Sequence, residues 1–162
     1  MKPSKNPAAN PAGPGDFELE YFLPYRLSLL TNTVSQGIAQ SYRRDHDISV
    51  IEWRILAVLG RFPGLTASEV VDRTAMDKVA VHRAVKSLMA RQLLQRKTDQ
   101  ADRRRRRLYI TANAGQRVLK KIIPRALQYE RSLLEALSTD EIRVMDRIIA
   151  KLQEKAETIA TT

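Results

Sequence analysis

Cysteine is absent from the 162-residue chain, which excludes disulfides, cysteine-ligated zinc and any thiol-based redox sensor. Histidine occurs twice, as His46 and His82, so a histidine-dependent triad or a histidine-rich metal site has little to draw on. There is no Gly-rich phosphate loop, and no internal repeat of solenoid period. No apolar run is long enough for a signal-peptide core or a membrane span, and the expected location is the cytoplasm, away from any membrane. The reading is a non-enzyme with no cofactor and no metal. Negative charge is also short: 18 acidic residues face 28 basic ones, a net charge of +10. That balance suits nucleic acid, an anionic membrane surface or an acidic partner, and composition alone does not choose among them. A hydrophobic content of 43% in a chain of this length supports one domain rather than two.

Position chooses. Between Thr66 and Thr111 there are 12 Lys and Arg against 5 Asp and Glu, so +7 of the +10 lies in fewer than a third of the residues. Thr66 and Glu69 have capping-box spacing and start a helix that ends near Thr74. The turn Thr74-Ala75-Met76 follows, and Asp77 can cap a second helix running to about Arg91. In this second helix Val81, Ala84, Val85 and Leu88 recur at helical spacing and define a core stripe. Val79, Arg83, Lys86 and Ala90 occupy the opposite face, with Lys78 and His82 at its flank. A cationic surface of mostly short side chains is thereby turned outward, as a major groove requires. His82 is read as a DNA contact in preference to a core histidine or a pH switch. Next, Leu93–Thr98 and Arg107–Ile110 read as paired strands around a tip holding Asp99, Gln100, Ala101, Asp102 and five consecutive arginines, Arg103 to Arg107. Like charges so crowded need a counter-anion, and a phosphate backbone supplies one.

Helix, turn, helix and basic hairpin, in that order, describe a winged helix, and here the chain resembles the MarR family of bacterial transcription regulators. Two stretches carry the resemblance. Asp77-Lys78-Val79-Ala80-Val81-His82-Arg83-Ala84-Val85-Lys86-Ser87-Leu88 looks like the family's recognition helix. Asp102-Arg103-Arg104-Arg105-Arg106-Arg107-Leu108-Tyr109-Ile110-Thr111, with Gly115 beyond, looks like its wing. The chain departs from the family pattern at Gln92, where the family usually has Gly, and at His82, where it has a small hydroxyl residue. The resemblance implies a homodimer on a pseudo-palindromic operator in double-stranded DNA, acting as a repressor. Its DNA contacts would be Lys78, Val79, His82, Arg83, Lys86, Asp102, Arg103, Arg104, Arg105 and Arg106. In that scheme Arg104 enters the minor groove and Asp102 orients it. It also implies release of DNA by a small-molecule effector, an aromatic or phenolic acid or its thioester, with Tyr21, Tyr25, Arg26 and Trp53 as lining residues. Core packing for Trp53 and surface exposure for Arg26 stand as the alternatives.

The remaining segments fit around this lobe. Residues 1–16 hold four of the seven prolines and read as a disordered tail, in which Lys2 and Lys5 are either passive or in reach of DNA. From Pro24, the residues Leu27, Leu30, Val34, Ile38 and Tyr42 form the stripe of a long helix. Ser49 and Glu52 make a capping box for a helix from Val50 to about Gly60, which offers Trp53, Ile55, Leu56 and Leu59 to the core before Arg61-Phe62-Pro63-Gly64 breaks it. Arg43-Arg44-Asp45-His46-Asp47 reads as a solvated turn rather than a metal site. Thr111 is expected to cap a helix through Leu119, Ile122, Ile123, Ala126, Leu133 and Leu137, kinked or broken at Pro124. Ser138 and Glu141 open a last helix whose Ile142, Met145, Ile148, Ile149, Leu152, Ala156 and Ile159 come close to a heptad, facing either a second subunit or its own lobe.

The expected fold is therefore α+β, mostly α. A winged helix-turn-helix lobe at about 49–111 sits within a domain spanning 17–162, and the helices at about 17–45 and 112–160 form a dimerisation region. The rival reading is an architectural protein that binds DNA without sequence preference.

Overall fold

Among residues 17–160, which a computed structural model describes, three capping boxes set helix starts at the expected places. Ser49 Oγ accepts from the Glu52 amide at 3.2 Å while Glu52 Oε2 accepts from the Ser49 amide at 2.9 Å. Thr66 with Glu69 repeats the pattern at 3.3 and 2.7 Å, and Ser138 with Glu141 at 3.3 and 2.8 Å. The element order is a 3-10 turn at Leu19–Tyr21, α1 (Leu23–His46), α2 (Val50–Arg61), α3 (Ala67–Thr74), α4 (Lys78–Ala90), β1 (Leu94–Thr98), β2 (Arg106–Ile110), α5 (Ala114–Leu134) and α6 (Thr139–Ala160). The tail at 1–16 and the side chains of residues 43–46, which include most of the Arg43–Asp47 cluster, lie outside the described residues.

The core lies under the helix-turn-helix. All four stripe residues of α4, Val81, Ala84, Val85 and Leu88, are buried, together with Ile55, Leu56 and Leu59 of α2 and Val70 of α3. Leu94, Leu108 and Ile110 of the hairpin and Leu119 and Ile122 of α5 close it, and Ala39 and Tyr42 join it from α1. Trp53 is only half-buried and packs against the edge of this core.

β1 and β2 pair antiparallel in a register running from Leu94↔Ile110 to Thr98↔Arg106. The segment expected only to break α2 also pairs with the hairpin. Gly64 N donates to Leu108 O at 3.0 Å, Leu108 N to Leu65 O at 2.8 Å, and Thr66 bridges Arg107. Gly64 makes this turn at φ +83°, where a Cβ would stand 2.9 Å from the Tyr109 hydroxyl. The link between α2 and α3 is thus fastened to the wing.

At the entry to the wing, Gln92 adopts φ 57° and Leu93 N reaches back to Leu88 O at 2.9 Å, closing α4 with a left-handed residue that is not glycine. Thr111 differs from expectation: α5 starts at Ala114, and Asn113 holds the cap position with no side-chain bond. From outside the helix, Thr111 Oγ1 accepts from Gly115 N at 2.8 Å and donates to Gln92 O at 2.8 Å. One hydroxyl therefore ties the start of α5 to the end of α4. Gly115 is required there, since a Cβ would meet Leu93 O at 2.2 Å. Pro124 does not interrupt α5; it sits on an exposed face, where the missing hydrogen bond opens to water.

α6 buries none of its residues. Ile148, Ile149, Leu152 and Ile159 are exposed along it, as are Leu23, Leu27 and Leu30 at the start of α1 and Ile123, Leu127 and Leu133 on α5.

Candidate nucleic-acid interface

A left-handed Ala75 at φ 50° makes the turn between α3 and α4, and Asp77 Oδ1 then accepts the Ala80 amide at 2.8 Å to start α4. Because the apolar stripe faces the core, Lys78, Val79, His82, Arg83 and Lys86 are all exposed. Among the described residues, no carboxylate pairs with Lys78, Arg83 or Lys86. Behind this face lies a group that sequence reading assigned only to a helix cap. Glu52 is 6% exposed, and its Oε1 accepts from Ser87 Oγ at 2.7 Å and lies 3.5 Å from Arg91 Nη1. Arg91 in turn donates to Asp47 O at 2.9 Å. A buried carboxylate must be so satisfied, and its partners fix the rotation of α4 against α2.

The wing tip is built around Asp99. Its Oδ1 accepts from the amides of Ala101 and Asp102 at 2.7 and 3.0 Å, and its Oδ2 pairs with Arg107 Nε. Arg107 also donates to Gly64 O at 2.9 Å. The Arg107 hydrogen bond, then the Asp102 and Ala101 amides, hold the Asp99 carboxyl at about 2 against an ordinary 3.8. The same pair pushes Arg107 up. Arg105 Nη2 meets Glu69 Oε1 at 3.0 Å, and Arg106 Nη1 bonds Thr98 Oγ1. Arg103 and Arg104 have no carboxylate partner among the described residues.

This arrangement corrects two expectations. The five-arginine run does not wait on an external anion along its whole length, because Asp99 and Glu69 neutralise Arg107 and Arg105 from within. Asp102 contacts Arg104 through the main chain, its Oδ1 accepting the Arg104 amide at 3.0 Å. It therefore shapes the loop rather than aiming the guanidinium. Both counter-anions are ordinary acids in the sequence, and only the register of the hairpin brings them to the arginines.

Of the residues expected to line an effector site, Trp53 borders a cavity of about 350 Å³, enclosed on α1 by Leu30, Thr31, Val34, Ser35 and Ile38 and on α2 by Val50, Trp53 and Arg54. Tyr21, Tyr25 and Arg26 are not in its lining; they stand beyond it, at and before the start of α1. The arginine beside the tryptophan is Arg54, whose Nη2 donates to Ser35 Oγ at 2.8 Å.

Residues 46–105 match the MarR family model. The fold is the MarR-family fold. The match spans α2, α3, α4 and β1 and reaches Arg105 at the wing tip. A MarR/EmrR-family transcriptional regulator from Acinetobacter sp. ADP1 is 23% identical, with a TM-score of 0.79, over 88% of this chain and 99% of its own. PcaV from Streptomyces coelicolor, solved with its natural ligand, is 23% identical with a TM-score of 0.69 over 86% and 96%. Bordetella bronchiseptica BpsR, whose DNA binding is regulated by 6-hydroxynicotinic acid, is 23% identical with a TM-score of 0.65 over 79% and 98%. No curated protein sequence matches the chain. The Acinetobacter protein and PcaV are both described as transcriptional regulators. Among the described residues, no helix is long and apolar enough to cross a membrane, and no cluster of His, Asp and Glu could hold a metal ion.

Proposed function

We propose that the chain is a homodimeric transcription regulator that reads a pseudo-palindromic operator, one subunit per half-site, and represses the genes beside it. The observation that carries this reading is the set of uncompensated cations on a rigid frame. Lys78, Arg83 and Lys86 project from a helix locked by Glu52, and Arg103 and Arg104 from a loop locked by Asp99. Cations left without a carboxylate are available to phosphates and base edges, with α4 in the major groove and the wing tip in the minor groove. Dimerisation rests on the apolar residues that α6, α5 and the start of α1 leave exposed. The effector reading also shifts with the geometry. Trp53 and Arg54 offer a ring wall and an anion anchor in one cavity, which suits an aromatic carboxylate; regulation of BpsR by 6-hydroxynicotinic acid is the parallel.

Footprinting the DNA upstream of the protein's own gene tests the regulator. Protection of two related half-sites about one helical turn apart is expected, and uniform coating of any DNA would favour the architectural rival. A gel-shift titration with aromatic acids and their thioesters tests the effector. Release from the operator by one of them, blunted in Arg54→Ala and Trp53→Ala, is expected, and release unaffected by either substitution would place the ligand elsewhere.

A further inference from the structure

Within the exposed face of α4, one side chain differs in hydrogen-bonding sense from its neighbours. His82 Nδ1 lies 2.7 Å from the main-chain oxygen of Lys78, one turn earlier on the same helix. A carbonyl oxygen only accepts, so Nδ1 must carry the hydrogen. In the neutral ring the other nitrogen, Nε2, then holds a lone pair and no hydrogen. His82 is exposed, and Nε2 has no partner among the described residues. Around it, Lys78, Arg83 and Lys86 bring donors only. Two oxygens near this surface already serve the helix: Asp77 Oδ1 accepts the Ala80 amide at its start, and the Ser87 hydroxyl donates to Glu52 behind it.

We infer that His82 is a specificity-determining residue whose Nε2 accepts a hydrogen bond from an exocyclic amino group in the major groove, adenine N6 or cytosine N4. The inference rests on the DNA-binding reading and deepens it. Donor side chains such as Arg83 and Lys86 match guanine O6 and N7 or phosphate oxygens, and none of them can accept from a base amino group. Each base pair shows one amino group in the major groove, carried by adenine or by cytosine. An acceptor at a fixed place therefore discriminates A and C from T and G on the strand it faces. The hydrogen bond to Lys78 fixes both the tautomer and the ring, so the acceptor is presented without the entropy cost of ordering a free side chain.

The experiment uses the full chain and an operator enriched from random DNA. Affinity is measured for every single-base change in one half-site, with wild type and with His82→Ala, whose fold is checked by circular dichroism. Wild type is expected to prefer A or C at one position, by about tenfold, and His82→Ala to lose that preference while keeping the others. An analogue lacking the amino group, purine for adenine or pyrimidin-2-one for cytosine, should then cost wild type about tenfold at that position and His82→Ala almost nothing. Retention of every preference by His82→Ala, or an equal penalty from the analogue in both proteins, would overturn the inference while the DNA-binding reading stands. Failure to enrich any sequence would overturn both.

Discussion

The carboxylate of Glu69 joins the helix-turn-helix to the wing: Oε2 accepts the Thr66 amide at 2.7 Å and Oε1 accepts Arg105 Nη2 at 3.0 Å. The Thr66 amide, foremost, and the Thr66 hydroxyl hold its pKa below the usual value, with Arg105 and Arg107 adding to the effect. Glu69→Gln keeps a side chain able to close the capping box and removes the charge that Arg105 now meets. Because the pair is exposed, the stability loss should stay under about 1 kcal/mol. Arg105 would be released to phosphate, so affinity for random DNA should rise and its salt slope steepen by up to about one unit. Fluorescence anisotropy across a salt series checks this, and an unchanged slope would show that Arg105 already spends its charge on DNA.

Asp99 gives the wing an acid limit. Its carboxyl is depressed to about 2 from 3.8, so the folded state favours the ionised form. The stabilisation is complete above pH 4 and is lost as pH falls toward 2. The melting-temperature gap between wild type and Asp99→Asn should therefore be constant from pH 7 to about 4 and shrink below that. A gap that persists at pH 2 would mean that the ion pair with Arg107 is not its source.

Much of the lobe was legible in the sequence because the signals are local. The capping boxes at Ser49, Thr66 and Ser138 need only residues three apart, and the stripe Val81, Ala84, Val85, Leu88 needs only the helical period. What sequence reading missed depends on approach between distant segments. The Glu52 bond to Ser87, the Arg107 bond to Gly64 O and the pairing of Leu65 with Leu108 follow from packing, and no spacing rule marks them. Arg54 went unnoticed beside Trp53 because its partner, Ser35, lies on another helix. Thr111 has the residue type of a helix cap, and its hydroxyl does accept a helix amide, from Gly115, but from outside the helix and while donating to Gln92 O.

Two backbone positions between α4 and α5 should respond in opposite directions. Gly115→Ala forces a Cβ to within 2.2 Å of Leu93 O, and the chain must shift where β1 begins, for a loss of about 2 kcal/mol or more. Gln92→Gly removes the strain of a non-glycine residue at φ 57° against the entropy glycine adds to the unfolded chain, for a net gain of about 0.5–1 kcal/mol. Urea denaturation reads both; a neutral Gly115→Ala would show that the close approach of α5 is not obligatory.

In the proposed dimer the terminal helices carry the assembly. On α6, Ile142, Met145, Ile149, Leu152, Ala156 and Ile159 alternate spacings of three and four, the seam of a packed helix pair. Light scattering of the free protein should give twice the chain mass of 18.4 kDa. Leu152→Asp should shift the protein toward monomer and weaken operator binding by placing a charge in a dry interface. A wild-type monomer at micromolar concentration would contradict the two-half-site arrangement.

The most direct test of the account is the ratio of dissociation constants for enriched operator and random DNA, measured with one protein preparation at about 150 mM salt. A sequence-reading regulator with α4 in the major groove should bind the operator at least about 10³ times more tightly, with Arg83→Ala lowering that ratio by about tenfold. Equal affinity for the two DNAs, unchanged in Arg83→Ala, would contradict it and leave a basic lobe that holds DNA without reading it.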